Sequence, residues 1–507
     1  MRVVIAGYGM AGARLAAELR VRSVDVKVTA FGAEAHPAYN RILLSALLAG
    51  KVGEDDLPLV EPPGGVDVRL GTAVTAVDRA RRVVRTVDDE QEYDALVLAT
   101  GARPVLPPLA GLTREDGTLA DGVSLFRTLD DCRRITTDAR EGATAVVLGG
   151  GLLGIEAARG LAERGLRVTV AHAGTHLLER QLDPEAGGVL SRTLADLEVR
   201  VRLGARAVQW SGDGLRLADE TVLPADLLVV ACGVCPDTGL AQAAGLAVNV
   251  GVLVDDALRT SDPRVSAIGD CVEHQGTVYG LVAPAWEQAA TVADRLTGGA
   301  TTYRGSRPVT RLKAAGIDLA AMGSLAAGPD AETICFADPA RGTYAKVVVR
   351  DGRLTGAVLL GDNPTVGTLV QLFDRNGEVP VDRRSLLLGR ALGAAPAPVE
   401  SPAFMPDQAV VCRCNSVSKA AITACWRGGA RRLADVVAGT RATTGCGGCV
   451  DAVRGLVDWL ASVDPAEAAA EPVPPGMTRA PAATAPARSG PAPAGVALTD
   501  VTEEVAV

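Results

Sequence analysis

Apolar positions follow two different periods in the first part of the chain. A β-branched run, a glycine-rich turn and a helical pattern occur in that order twice, at residues 3–12 (VVIAGYGMAG) and 145–154 (AVVLGGGLLG). Short apolar runs indicate strands, whereas apolar residues three and four positions apart indicate helices. The repeat predicts two helices and two following strands, over Ala13–Leu19, Asp25–Phe31, Ile155–Ala162 and Leu166–Ala171. We therefore expect two βαβ units.

A hairpin and two proline-rich stretches organise the rest of the chain. Tyr344–Val349 and Thr355–Leu360 alternate around Asp351-Gly352, a pair typical of a tight hairpin turn. Residues 394–409 (AAPAPVESPAFMPDQA) predict an extended linker. Residues 464–497 are rich in Ala and Pro and lack the large apolar side chains that offset the entropy of ordering, so we expect a disordered tail.

The two glycine turns predict phosphate binding. In such a turn the first glycine makes the bend, the second lets the backbone approach a pyrophosphate, and the third allows close packing of helix on strand. The glycines that match are Gly7, Gly9 and Gly12 in the first copy and Gly149, Gly151 and Gly154 in the second. Glu34 follows the first copy at the spacing of a ribose-binding acid, although a solvated loop carboxylate is the alternative. The second copy has His172 at the corresponding place, so NADH and NADPH both stay open.

Composition narrows the class of protein. The chain has 507 residues, which suggests three or four domains, with 48% hydrophobic and 22% charged residues. A net charge of −9 and an aromatic content of 3% argue against nucleic-acid binding. No apolar run is long enough to cross a membrane, and the N-terminus has no signal-peptide pattern. We expect a cytoplasmic protein without a membrane partner.

Ten cysteines are unexpected in a compartment where disulfides seldom persist. Four of them form a C-x-C pair and a C-x2-C pair: Cys412, Cys414, Cys446 and Cys449. Zinc modules usually open with a longer spacing than C-x-C, whereas four thiolates suit a [2Fe–2S] cluster. A cluster is therefore favoured over zinc or ordinary buried cysteines. Cys232 and Cys235 form another C-x2-C pair, which is either structural or redox-active.

Further motifs carry a family resemblance. The motifs are YDALVLATG (93–101), TSDPRVSAIGD (260–270), HPAYNRILLSALLAG (36–50), HLLERQLDPEAG (176–187) and YGLVAPAWEQA (279–289). The chain resembles, from residue 1 to about 460, the flavin half of NAD(P)H-dependent nitrite reductase large subunits and the electron-transfer subunits of assimilatory nitrate reductases. The four-cysteine stretch resembles the small helical domain of bacterioferritin-associated ferredoxins.

The resemblance implies cofactor contacts at particular residues. FAD contacts would come from Arg41, Ser45, Thr100, Gly101, Gly269, Asp270, Trp286 and Glu287. Asp270 would hydrogen-bond the ribityl chain, and Trp286 and Glu287 would begin a helix over the pyrimidine end of the flavin. Glu156 would approach the nicotinamide. A turn-forming Asp270, a core Trp286 and a surface Glu156 are the alternatives. Relatives often carry Lys where this chain has Ala46, so the residue that tunes flavin N5 stays open.

The implied fold class is α/β, with two Rossmann-like domains of the two-domain flavoprotein reductase type, a small α/β C-terminal domain and a small helical [2Fe–2S] domain. The expected bounds are 1–110 with 240–300 for a discontinuous FAD domain, 111–239 for the NAD(P)H domain, 301–393 for the small α/β domain, 394–409 for the linker, 410–462 for the cluster domain and 463–507 for the tail.

These features predict an oxidoreductase that passes electrons from NAD(P)H through FAD and a [2Fe–2S] cluster. No side-chain nucleophile or base is needed, so no catalytic residue is assigned. No cysteine follows Cys449 to ligate a further cluster, so we expect the acceptor to be a separate nitrate or nitrite reductase subunit. A homodimer is possible. The alternatives are a thiol–disulfide reductase that uses Cys232 and Cys235, and a redox-sensing regulator with a four-cysteine metal site.

Overall fold

The computed structural model describes residues 1–59, 64–312, 314–326, 328–363, 365–388, 402–412, 415, 417–444 and 448–464. Residues Met1–Val463 form one compact unit, to which all elements below belong. The predicted tail lies outside the described residues apart from Val463 and Asp464, and so does the linker up to residue 401. Pro402–Phe404 forms a single 3₁₀ turn.

The first segment contains the first glycine turn. Its elements are β1 (Arg2–Ala6), α1 (Met10–Arg22), β2 (Lys27–Phe31), α2 (Leu44–Leu48), β3 (Val66–Arg69), β4 (Ala76–Asp78), β5 (Val83–Arg85), β6 (Glu90–Glu92), β7 (Ala95–Leu98) and β8 (Ala102–Pro104).

The second segment contains the second glycine turn. Its elements are β9 (Val123–Leu125), α3 (Leu129–Asp138), β10 (Thr144–Leu148), α4 (Leu152–Glu163), β11 (Arg167–Ala171), α5 (Pro184–Asp196), β12 (Val199–Arg202), β13 (Ala207–Ser211), β14 (Gly214–Leu217), β15 (Val222–Leu223), β16 (Leu227–Val230) and β17 (Val234–Pro236).

The chain then returns to the first sheet and continues into two smaller parts. The elements are α6 (Gly239–Ala243), β18 (Val252–Val254), β19 (Val265–Ala267), β20 (Val272–His274), α7 (Val282–Leu296), β21 (Val309–Arg311), β22 (Leu319–Gly323), β23 (Glu332–Asp338), β24 (Thr343–Arg350), β25 (Arg353–Leu360), α8 (Val366–Arg375), α9 (Ser385–Leu388), β26 (Val410–Cys412), β27 (Val417–Ser418), α10 (Lys419–Arg427), α11 (Leu433–Thr440) and α12 (Val450–Val463).

Two parallel sheets place the functional motifs. The first has the order β19-β7-β1-β2-β3 and the second the order β12-β11-β10-β16-β9. Helices α1 and α7 pack on the first sheet through buried residues such as Leu15, Leu19 and Val292. The carboxyl ends of parallel strands meet at one edge of a sheet, so the loops after β1, β2, β7 and β19 come together there.

The predicted helices and strands are found, with shifted starts. Helices α1 and α4 begin directly after the second glycine of each turn, earlier than the sequence pattern indicated. Gly12 and Gly154 therefore lie within the helices. A residue without a Cβ is needed at these positions, where the helix passes close to the strand. Strands β2 and β11 begin later than predicted, at Lys27 and Arg167.

The third sheet is antiparallel, with the order β21-β22-β25-β24-β23, and helix α8 packs against it. The predicted hairpin is confirmed as β24 and β25, with Val347 opposite Ala357. Asp351 and Gly352 form its two-residue loop, and both have positive φ (50° and 68°), as the right-handed twist of a hairpin favours. The small helical domain has a core that contains Ile422, Trp426 and Leu456.

Candidate functional site

The first glycine turn is built for close backbone approach. Gly7 has φ 113°, and a Cβ there would lie 2.1 Å from the Ala99 carbonyl oxygen. A Cβ on Gly12 would lie 2.0 Å from the Gly7 carbonyl oxygen, so both positions require glycine. At Gly9 the nearest atom to such a Cβ is 4.0 Å away, at the end of the Arg41 side chain. Gly9 begins α1 without a side-chain cap, which leaves N–H groups open to an anion.

The second turn repeats this geometry. Gly149 has φ 123°, and a Cβ there would lie 2.3 Å from the Ala231 carbonyl oxygen, while one on Gly154 would lie 2.0 Å from the Gly149 carbonyl oxygen. No atom lies within 4 Å of a Cβ built on Gly151, which begins α4 without a side-chain cap. Both turns therefore fit a dinucleotide pyrophosphate, with the second glycine as the open position.

A cleft of about 630 Å³ brings most of the predicted flavin residues together. Its lining includes Gly7, Gly9, Glu34, Arg41, Thr100, Gly101, Glu156, Gly269, Asp270, Glu287 and Cys449. These residues come from both parts of the first sheet, from α4 beside the second sheet, and from the small helical domain formed by β26 to α12. We call this last part the cysteine domain. Its size and mixed lining are those of a cofactor site. Gly12, Ser45, Trp286 and the second glycine turn are not part of this lining.

Ser45 and Trp286 pack inside the protein. Trp286 is 8% exposed, and its Nε1 donates to the Met10 carbonyl oxygen at 3.2 Å. The Arg14 guanidinium lies 5.5 Å from the Trp286 ring centre. Because α7 begins at Val282, Trp286 lies in its second turn against α1, as the core-packing alternative describes. Ser45 is buried in α2, and its Oγ donates to the Ile42 carbonyl oxygen.

Charged side chains connect two of the predicted carboxylates of the cleft, Glu34 and Asp270. Glu34 pairs with Arg41 and accepts a hydrogen bond from the Tyr39 hydroxyl at 2.7 Å. Asp270 pairs with Arg127 at 2.7 Å, and Arg41 donates to the Arg127 carbonyl oxygen at 3.1 Å. Burial is the main cause that raises the pKa of Tyr39, so its hydroxyl stays protonated. Two arginines thus lie beside the open turn, and guanidinium groups suit phosphate oxygens.

Sequence reasoning missed Arg127 and Gln288. Arg127 precedes a capping box in which Thr128 accepts from the Asp131 N–H at 3.1 Å and Asp131 accepts from the Thr128 N–H. That S/T-x-x-acid signal marks a helix start after a strand, and it could have placed Arg127 at the edge of the sheet. Gln288 is 2% exposed and accepts from the Gly269 N–H at 2.7 Å, thereby fixing the loop before Asp270. No sequence signal indicated that contact.

An acidic residue, Glu179, follows β11 in the chain and lies near the end of that strand, beside His172. His172 Nδ1 accepts from the Gly150 N–H at 3.2 Å, and its Nε2 lies 3.7 Å from a Glu179 carboxylate oxygen. Glu179 accepts from the Thr175 N–H at 2.9 Å, and this backbone hydrogen bond is the main cause that lowers its pKa. Glu179 thus brings a carboxylate to a strand end where sequence spacing indicated none.

Cys232 follows β16 of the second sheet, whereas Cys235 lies in β17, which pairs with β8 in a separate two-stranded sheet; neither forms a disulfide. Although the Cys232 residue is exposed overall, its Sγ faces inward and donates to the buried Leu148 carbonyl oxygen at 3.5 Å. Burial raises the pKa of Cys232 to about 11. A thiol with that pKa is protonated at neutral pH and is a poor nucleophile.

The cysteine domain contributes to the cleft. Cys412 is buried at the end of β26, and Cys449 is buried before α12. Gly448 and Cys449 line the same cleft as the first glycine turn. Cys414 and Cys446 lie outside the described residues, and within the described ranges no group of three or more metal-ligating side chains occurs. Cys412 and Cys449 are two of the four thiol donors that a four-thiolate cluster needs.

Comparison with known proteins agrees with this arrangement. The family profile described as pyridine nucleotide-disulphide oxidoreductase matches residues 1–289. The rubredoxin NAD⁺ reductase C-terminal domain matches residues 308–375, and the BFD-like [2Fe-2S] binding domain matches residues 410–459. None of the helices in the described part of the chain has the length and apolarity that crossing a membrane requires.

Among curated relatives, the nitrite reductase [NAD(P)H] of Bacillus subtilis (strain 168) is 35% identical over 475 residues, which cover 91% of this chain and 58% of the relative. The assimilatory nitrate reductase electron transfer subunit of the same organism is 34% identical over 485 residues, which cover 93% of this chain and 61% of the relative. The chain thus spans about three-fifths of the length of these relatives.

Among solved structures, the covalent putidaredoxin reductase–putidaredoxin complex matches with a TM-score of 0.68 and 26% identity, over 78% of this chain and 99% of that chain. The predicted fold class and family resemblance are confirmed by these matches. So are FAD, NAD(P)H and the [2Fe–2S] cluster as cofactors, and NAD(P)H-dependent oxidoreductase as the class of enzyme. The chain belongs to the pyridine nucleotide-disulphide oxidoreductase family.

Proposed function

We propose that the protein carries electrons from NAD(P)H through FAD and the [2Fe–2S] cluster to a separate assimilatory nitrate or nitrite reductase subunit. The observation that carries this proposal is the convergence of three elements on one cleft. The first glycine turn, Glu156 of α4 and Cys449 of the cysteine domain all line it. A flavin site and a cluster site that share one cleft, with α4 of the donor site at its wall, can exchange electrons without a diffusing carrier.

The residues of the cleft would bind the two cofactors, FAD and NAD(P)H, and orient them. The N–H groups at the start of α1 would donate to the FAD pyrophosphate, the guanidinium groups of Arg41 and Arg127 would offset its charge, and Asp270 would accept from a hydroxyl of the ribityl chain. The turn before α4 would bind NAD(P)H, and Glu156, which is buried and lines the cleft, would approach the nicotinamide. FAD supplies the chemistry that the chain lacks, because it accepts a hydride and releases electrons singly.

In this proposal, residues 1–110 with 240–300 bind FAD, residues 111–239 bind NAD(P)H and residues 410–462 bind the cluster. The ligands of the cluster are Cys412, Cys414, Cys446 and Cys449. The relatives support an acceptor in nitrate or nitrite assimilation, because their names give those activities. We place the protein in the cytoplasm, where NAD(P)H is available, as a possible homodimer.

The absorbance spectrum and metal content of the purified protein test the cofactor set. We expect flavin bands that overlap with broad [2Fe–2S] absorption, and two irons per chain. A pure flavin spectrum with one zinc per chain would contradict the proposal and leave the four-cysteine site as a structural zinc module.

The thiol–disulfide alternative predicts a different result for Cys232→Ser. Because burial holds the pKa of Cys232 at about 11, we expect this variant to reduce a dye or cytochrome with NAD(P)H at the parent rate. Alkylation of Cys232 should accelerate only as the pH approaches 11, which peptide mass spectrometry can follow. Loss of NAD(P)H turnover in Cys232→Ser would instead favour a redox role for the pair.

A further inference from the structure

The cysteine domain contacts the rest of the molecule through the segment of residues 40–58. Asn40 Nδ2 donates to Asn415 Oδ1 at 3.1 Å. The Arg441 guanidinium donates to the carbonyl oxygens of Pro58, at 3.0 Å, and Asp56. Between these polar contacts, Ile42 packs against the apolar core of the domain. The same segment lines the flavin cleft through Arg41 and Ile42, so the contact surface adjoins the cleft.

Asn415 also connects two described segments of the cysteine domain to each other. Its Nδ2 donates to the Arg441 carbonyl oxygen at 2.6 Å and to Thr444 Oγ1 at 3.1 Å. In the sequence, Asn415 follows Cys414 and Thr444 lies two positions before Cys446. One carboxamide therefore links residue 415, the segment of residues 441–444 and Asn40. Only a side chain that donates and accepts together can make this set of bonds, so aspartate or leucine could not replace it.

The cysteine domain also approaches β21 at Gly448. A Cβ added to Gly448 would lie 3.0 Å from Arg311 Nε, so a larger residue there would require the Arg311 side chain to shift slightly. Gly448, Cys449 and Arg311 all line the flavin cleft. Cys449 therefore lies at the wall of the cleft.

We propose that Asn415 and Arg441 are positioning residues that dock the cysteine domain on residues 40–58 for electron transfer from the flavin. This inference rests on the proposed function and adds the contacts on which the flavin-to-cluster step depends. A hydrogen bond between neutral groups changes an equilibrium by about fivefold, and one from a charged donor such as Arg441 by about tenfold or more.

Two variants and a control test the proposal in the full-length holoprotein. Asn415→Ala removes both the loop link and the contact with Asn40. Arg441→Asn removes only the contact with Pro58 and Asp56, and asparagine tolerates the positive φ of 59° at this position. Arg454→Asn is the matched control, because it makes the same charge change at an exposed arginine that pairs with Asp451 in its own helix.

Anaerobic stopped-flow mixing with NADH separates the two electron-transfer steps. We expect flavin bleaching at the parent rate in all three variants, whereas cluster reduction slows about fivefold or more in Arg441→Asn and Asn415→Ala. Cluster reduction in Arg454→Asn should match the parent. Parent rates of cluster reduction in both docking variants would overturn the proposal. If Asn415→Ala loses its iron, Arg441→Asn alone still decides the docking claim.

Hydrogen exchange gives a readout that does not depend on turnover. We expect faster amide exchange in peptides that cover residues 54–59 in Arg441→Asn, with an unchanged electron paramagnetic resonance spectrum of the reduced cluster. Unchanged exchange there would contradict docking at this surface. A parent protein whose cluster is not reduced by NADH or NADPH would instead disprove the proposed function itself, so the two failures are distinguishable.

Discussion

The glycines of the two turns differ in what an added methyl group would meet. Gly9 has φ −85° and open space beside it, whereas Gly7 has φ 113° and a carbonyl oxygen 2.1 Å from an added Cβ. We expect Gly9→Ala to fold normally but to bind FAD on the order of tenfold more weakly, because the methyl group stands between the N–H groups and the pyrophosphate. Gly7→Ala should lower the free energy of unfolding by several kcal/mol.

Thermal unfolding of the apoprotein and flavin fluorescence titration check both expectations. Parent FAD affinity in Gly9→Ala would show that the pyrophosphate does not lie against this turn.

Glu179 places a carboxylate at the end of β11, beside His172. NADPH would bring its 2′-phosphate close to this charge, so we expect the protein to prefer NADH. In Glu179→Gln the ratio of kcat/KM for NADH to that for NADPH should fall by about fivefold or more. Steady-state kinetics with both coenzymes measure this ratio. Glu185→Gln, an exposed acid in the first turn of α5, is the control that should leave the ratio unchanged. A parent protein that prefers NADPH would exclude this role for Glu179.

At the scale of elements, the Asp183 carboxylate at the start of α5 joins this helix to β24 of the third sheet. Asp183 Oδ2 accepts from Lys346 Nζ and from the Tyr344 hydroxyl, each at 2.8 Å, and Oδ1 caps α5 at the Ala186 N–H. Burial alone would raise the pKa of Asp183, but these hydrogen bonds outweigh it, so the pKa lies below the ordinary value of 3.8. The folded state therefore binds a proton less readily than the unfolded state.

The carboxylate of Asp183 stabilises the fold above about pH 4, and this contribution is lost as the pH falls through the lowered pKa. We expect Asp183→Asn to lower the free energy of unfolding at pH 7 by about 1–2 kcal/mol, because the bond to Lys346 loses its charge. Denaturant unfolding at pH 7 and pH 3 should show that the difference between variant and parent shrinks in acid. Asp121→Asn, at a side chain that is 96% exposed, should change stability by less than about 0.5 kcal/mol. A constant difference across this pH range would contradict the lowered pKa.

The elements that sequence predicted are those with local signals. The glycine turns, the helices that follow them and the Asp351-Gly352 hairpin depend on residues near one another in the chain. Contacts between distant loops had no such signal. Arg127 and Asn415 gain distant partners, Asp270 and Asn40, only when separate strands and domains meet. Trp286 faces α1 because α7 begins at Val282, and that start has no capping signal in the sequence.

At the scale of the whole molecule, one compact unit holds the first glycine turn, Glu156 of α4 and Cys449, which line a shared cleft. The cluster domain is docked through residues 40–58, whereas the predicted linker would allow it to move. The chain thus combines a reductase with its own electron carrier.

Electron paramagnetic resonance of the anaerobic protein, recorded during titration with NADH, tests this electron path most directly. We expect the signal of a reduced [2Fe–2S] cluster to grow as the flavin absorbance bleaches, up to about one spin per chain. Full bleaching of the flavin without any cluster signal, in protein that contains its iron, would contradict electron transfer through the shared cleft.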